Sequence, residues 1–191
     1  MYSNSTEWIP MILSGLGTNV LIVILSSILP LVVGIGLTVL MHYKRKTALP
    51  KVFRYVSILT EGMAPLIILF VMFFSYPQLV QMVDPIFRVE PTTAALMALS
   101  VCFMGYMVFR YDERDSLVKN LVVNGIGLFA DLFKWCFSIV AFVGVPDMVG
   151  QARIYTGSTY RFTIYIYLLI IGMAILIPLY IGRQLCKDFM K

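Results

Sequence analysis

Five blocks of this chain, at 19–41, 55–76, 92–109, 121–145 and 162–181, are apolar over about 18 residues or more. A helix rising about 1.5 Å per residue needs that length to cross a hydrocarbon layer roughly 30 Å thick. No soluble core absorbs so much apolar surface. Of 191 residues, 60% are hydrophobic and 13% charged, against roughly 45–50% and about 25% in soluble domains. The expected fold is all-α, a polytopic membrane protein of about five transmembrane helices. Residues 1–18 form an extracytoplasmic or interfacial lead-in, 19–182 one membrane domain and 183–191 a basic tail.

The formal net charge of +5 reflects orientation, not nucleic-acid binding. Lys44, Arg45, Lys46, Lys51 and Arg54 follow the first block, Arg110, Arg114 and Lys119 follow the third, and Arg183, Lys187 and Lys191 close the chain. The opposite side holds Arg88, Arg153 and Arg161, so basic residues divide eleven to three. Short loops with that bias face the cytoplasm, which puts the N-terminus outside and the C-terminus inside. No Lys or Arg precedes the first apolar stretch and Glu7 stands before it, which argues against a cleaved signal peptide. Trp8 to Leu16 is an interfacial stretch, since Trp favours headgroup depth.

Two features bear on helix packing. Pro30 lies mid-span and should kink the first helix, which a bundle tolerates when neighbours satisfy the freed carbonyl. The third span is rich in Ala, Met and Ser, a composition suited to close helix approach. Residues 146–161, with Gly150, Gly157 and Ser158, read as a polar connection. Cys102, Cys136 and Cys186 lack metal-type spacing and read as small buried residues.

Charged residues inside apolar blocks are the functional candidates, because such groups cost about 2.5–3.5 kcal/mol at the bilayer centre and seek partners. Asp131 and Lys134 lie three apart on one helical face. They form either a polar patch on a solute path, with Lys134 set to meet a carboxylate, or a self-neutralising structural pair. Glu61 either lines a path or snorkels towards Arg54 or Lys51. Gly62 and Pro65 bend the second span; helix breaks of this kind accompany transporter sites. His42 reads as interfacial. There is no phosphate-cradling Gly-rich Lys motif, no His-Glu-x-x-His and no Cys-x-x-Cys. No catalytic residue, cofactor or metal is expected, and any ATP chemistry belongs to another chain.

Several local patterns occur in a telling order. Gly15-Leu16-Gly17-Thr18 opens the first span and Gly34-Ile35-Gly36 lies within it. Tyr55-Val56 leads to Gly62-Met63-Ala64-Pro65-Leu66-Ile67 and then Phe73-Phe74-Ser75-Tyr76-Pro77. Ala94-Ala95-Leu96-Met97-Ala98-Leu99-Ser100 opens the third span and Gly105-Tyr106 follows. Lys134-Trp135-Cys136-Phe137-Ser138 and Gly144-Val145-Pro146-Asp147-Met148 end the fourth. In this order, over about 170 residues, the chain resembles the membrane (permease) subunits of type I ABC importers for polar amino acids.

That resemblance implies one half of a permease pair in a bacterial cytoplasmic membrane. Its partners would be a second permease chain, the same or different, a cytoplasmic ATPase and an extracytoplasmic solute-binding protein. Glu61, Gly62, Pro65, Asp131, Lys134 and Ser138 become the transport-path candidates. One departure stands out. Members of that family carry a Glu-Ala-Ala-x-x-x-Gly loop after the third span, which docks in the ATPase. Here Arg110 leads through Tyr111-Asp112-Glu113-Arg114-Asp115 almost directly into the fourth span, and no Glu-Ala-Ala run exists. The alternative is therefore a permease-like scaffold or accessory subunit that does not transport.

Overall fold

The computed structural model describes residues 8–44, 49–62, 65–84, 86–159 and 163–190; at 49, 50, 56 and 59–62 it describes the backbone alone. All regular structure among these residues is helical: α1 (Trp8–Tyr43), α2 (Leu49–Gly62), α3 (Pro65–Phe70), a π turn (Val71–Ser75), α4 (Tyr76–Gln81), α5 (Pro91–Phe103), α6 (Tyr106–Phe109), α7 (Leu117–Ile139) with a 3₁₀ turn (Val140–Val143), α8 (Met148–Thr159) and α9 (Ile164–Phe189). Four stretches are long and apolar enough to cross a membrane: Trp8–Tyr43, Pro91–Phe109, Leu117–Val143 and Ile164–Phe189. The chain is a multi-pass membrane protein.

The expected second span is divided. It comprises α2 and the apolar stretch Pro65–Gln81. Pro65 stands at the first position of α3, where a missing N–H costs nothing, so it starts a helix instead of bending one. Further on, the Tyr76 N–H reaches back to the Val71 carbonyl. That wider turn immediately precedes Pro77, whose ring would otherwise crowd the carbonyl four residues back.

Helix α1 is longer than its span required. It runs unbroken from Trp8 through 36 residues, about 54 Å at 1.5 Å per residue. Its first turns pack against α8, a helix where a polar connection was expected. Asp147 starts α8 as its cap: Oδ1 accepts the Gly150 N–H at 2.7 Å and the main-chain carbonyl accepts that of Gln151 at 2.8 Å. Asp is among the strongest caps, and it outweighs the polar, Gly-containing run that follows. A Cβ at Gly15 would lie 2.6 Å from the Met148 nitrogen, so the two backbones meet there directly. Trp8 stacks on Tyr167 of α9, with ring centroids 4.7 Å apart.

Three apolar clusters lie along the bundle. Ile12, Met148, Ala152, Tyr155, Ile164 and Leu168 form one end. Met41, Val108 and Tyr111, with Leu37 and Phe53, form the other. Between them Ala94, Ala95 and Ala98 of α5 are fully buried beside Ile22, Leu128 and Leu132. Small residues let helices approach where lipid removes the hydrophobic drive to associate. Cys102 and Cys136 are buried free thiols and Cys186 is half-buried.

The connection from α6 to α7, Arg110–Ser116, contains no helix. It is fastened along its length. The carbonyls of Arg110, Tyr111 and Asp112 accept hydrogen bonds from Asn124 Nδ2 at 3.2 Å, Arg54 Nη2 at 2.8 Å and Asn120 Nδ2 at 2.8 Å. Tyr111 Oη lies 3.3 Å from His42 Nδ1, which fixes the interfacial histidine against the same turn. Ser116 caps α7 by accepting the Lys119 N–H at 3.2 Å.

A candidate solute-path site on the fourth span

Helix α7 runs through the centre of the bundle, packed between α1 and α9, and Asp131 on it faces protein on both sides. Asp131 is 17% exposed and accepts hydrogen bonds from Tyr106 Oη of α6 and Tyr180 Oη of α9, each at 2.7 Å. Arg110 approaches the same carboxylate at 3.5 Å and lays its guanidinium 4.5 Å from the centre of the Tyr106 ring. Two short hydrogen bonds to a carboxylate and a nearby guanidinium are what a charge at this depth needs. The result is a polar knot that joins α6, α7 and α9.

Sequence spacing offered Lys134 as the partner of Asp131. The carboxylate is turned to Tyr106, Tyr180 and Arg110 instead, and among the described residues Lys134 forms no ion pair with it. Lys134 is exposed on the bundle surface, one turn from Ser138, also exposed, whose hydroxyl donates to the Lys134 carbonyl at 2.8 Å. A cavity of about 230 Å³ brings together Pro65, Asp131 and Lys134 with Tyr106, Arg110 and Trp135. Three of the expected path residues thus share one wall. Ser138 is not among the residues that line the cavity. Glu61 and Gly62 occupy the last turn of α2; their side chains lie outside the described residues.

Tyr106, Arg110 and Tyr180 were not anticipated. Tyr180 is 49 residues from Asp131 in sequence, beyond any helical spacing rule. The usable signal was an aspartate inside an apolar block, which requires donors from other spans.

A second polar cluster lies where α1, α7 and α8 meet. Asn19 is fully buried and its Oδ1 accepts the Met148 N–H at 3.2 Å. Asp147 beside it is also fully buried. Burial pushes its carboxyl up from 3.8 to about 6, partly offset by the N–H groups of Gly150 and Val149. Asn19 Nδ2 and Asp147 Oδ2 have no hydrogen-bond partner among the described residues.

The chain is similar over nearly its whole length to one solved structure, described as the crystal structure of an amino acid ABC transporter with histidines. The likeness covers 96% of this chain and 95% of that chain, at a TM-score of 0.75 and 18% identity. This chain therefore shares the fold of that chain. No protein-family model matches the chain, and no curated protein matches it. The likeness takes in the helical bundle, and the α6–α7 connection of this chain is the short fastened turn described above.

Proposed function

We propose that this chain is the membrane subunit of an ABC-type importer for amino acids or similar small polar solutes, in a bacterial cytoplasmic membrane. It acts as one half of a permease pair, with ATP hydrolysis on a separate chain and an extracytoplasmic binding protein delivering solute. The carrying observation is a fold likeness at TM-score 0.75 over nearly the whole of both chains. The exposed Lys134 and Ser138 on a membrane-spanning helix support it, because a lysine facing acyl chains is costly whereas one facing a path between two halves is hydrated and useful. On this reading Lys134 meets the carboxylate of the solute, and Pro65, Asp131 and Ser138 shape the path, with Glu61 and Gly62 at its cytoplasmic end.

A second reading, a non-transporting scaffold, is favoured by one observation: the α6–α7 connection carries no helix for an ATPase to receive. The two readings separate in proteoliposomes holding the complex purified from native membranes. The transport reading expects a second membrane chain and an ATPase to co-purify, and Lys134→Ala to cut uptake about tenfold or more at unchanged complex yield. Uptake and ATPase activity that ignore both Lys134→Ala and Glu61→Ala would select the scaffold.

A further inference from the structure

A second cleft, roomier than the one beside Lys134, opens elsewhere on the bundle. It measures about 500 Å³ and lies between the first turns of α7 and the last turns of α9, with the α6–α7 turn as its floor. That volume falls in the ordinary range for small-ligand sites. Its charged lining is Arg110, Lys119, Arg183 and Lys187 against Asp112 and Asp115, an excess of two positive charges.

The carboxylates are already engaged. Asp115 takes Lys119 at 2.6 Å, and Asp112 Oδ1 accepts the Arg114 N–H at 2.9 Å. The amides are engaged too: Asn120 and Asn124 hold the turn, and Gln184 reaches Asp188 at 3.3 Å. Arg183 and Lys187 therefore line the cleft with no hydrogen bond or ion pair among the described residues. Arg183 is half-buried against α7, where a Cβ at Gly127 would meet its Nε at 2.9 Å. The same Cβ would meet Tyr106 Oη at 2.7 Å, so the guanidinium borders the Asp131 knot, without a hydrogen bond to it among the described residues. Held in place there, it is a ready partner for a planar or tetrahedral oxyanion.

Position identifies the anion's carrier. The cleft is at the end of the bundle where the basic segments gather, at the cytoplasmic headgroup level. Next to its charged stretch the same two helices present exposed Val118 and Val122 on α7 and Ile177 and Ile181 on α9, apolar surface along which acyl chains can lie. We propose that this cleft binds the phosphodiester headgroup of an anionic membrane lipid, with Arg183 and Lys187 as its principal contacts.

The test titrates purified full-length protein with dihexanoyl phosphatidylglycerol and counts bound lipid by native mass spectrometry. Phosphatidylcholine of the same chain length and inorganic phosphate are run as competitors. One phosphatidylglycerol per chain should be held, displaced by neither. A basic side chain near an anionic headgroup contributes about fivefold in affinity, so R183Q with K187Q should weaken binding roughly twenty-five-fold. K187E alone, at an exposed position that tolerates change, should weaken it at least fivefold with an unaltered melting profile. K51Q, a basic residue of the same end outside the cleft, should bind like the wild type. Displacement by equimolar inorganic phosphate, wild-type binding in both cleft variants, or a loss in K51Q as large as in R183Q with K187Q would each overturn the assignment.

Discussion

The Ser100 hydroxyl of α5 donates to the Ser26 carbonyl of α1 at 3.1 Å. Ser26 is four residues before Pro30, and its carbonyl is the one that proline cannot satisfy. A hydrogen bond missing inside one helix is thus replaced by a side chain of another. Pro30 and Ser26 are both buried, so water is a poor substitute.

Ser100→Ala should therefore cost about 0.6–2 kcal/mol in reversible unfolding of the detergent-solubilised protein. Pro30→Ala restores the N–H, and in that background Ser100→Ala should cost about half as much or less. Equal penalties in the two backgrounds would show that the hydroxyl does not serve this carbonyl.

Removing either hydroxyl from Asp131, by Tyr106→Phe or Tyr180→Phe, should lower stability by about 0.5–1.5 kcal/mol. Asp131→Ala should cost more than either, because it leaves two hydroxyls and a guanidinium without their shared acceptor. Chemical denaturation of the three variants checks the order. Additivity of the two Tyr→Phe changes would argue against one coupled knot.

Gly15 and Gly17 make a matched pair on α1. A methyl on Gly15 meets the backbone of Met148, whereas one on Gly17 meets nothing within 4 Å. Gly15→Ala should destabilise by about 1–3 kcal/mol, since backbone cannot be displaced like a side-chain tip. Gly17→Ala should be neutral or slightly stabilising. Thermal melts of the two variants suffice.

The seat of α8 should depend on pH. Asp147, buried at the head of that helix, has a carboxyl raised from 3.8 to about 6. A raised acid favours the folded form when protonated, so its contribution is fully present below about pH 4 and is lost as pH rises through 6. Hydrogen exchange of the α8 amides should accelerate across that window beyond the intrinsic rate change. Asp147→Asn, which caps equally well, should abolish the excess.

Where a property belongs to one segment, the chain announces it. The apolar blocks, the basic ends, the orphan carbonyl at Pro30 and the buried alanines of α5 all follow from local composition and from bilayer thickness. What escapes is set by partners remote in sequence. Asp131 and Lys134 look paired because helical spacing is all a single segment offers, but two tyrosines at hydrogen-bond distance and an arginine compete for the same carboxylate and win. Residues 148–159 look like a loop because a helix lying against Gly15 needs only a capped start and a narrow apolar edge, Met148, Ala152 and Tyr155. Pro65 announces a disruption without saying whether it bends a helix or begins one.

The fastened turn after α6 has a mechanical corollary for any assembly built on this chain. With its carbonyls bound to α2 and to α7, that turn is a rigid plate, unable to swing independently of the bundle. Two copies of this chain facing each other would offer an ATPase no helix projecting between α6 and α7 on either side. If nucleotide drives transport here, the stroke enters through an unlike second half, and this half follows: a two-sided engine with a single crank.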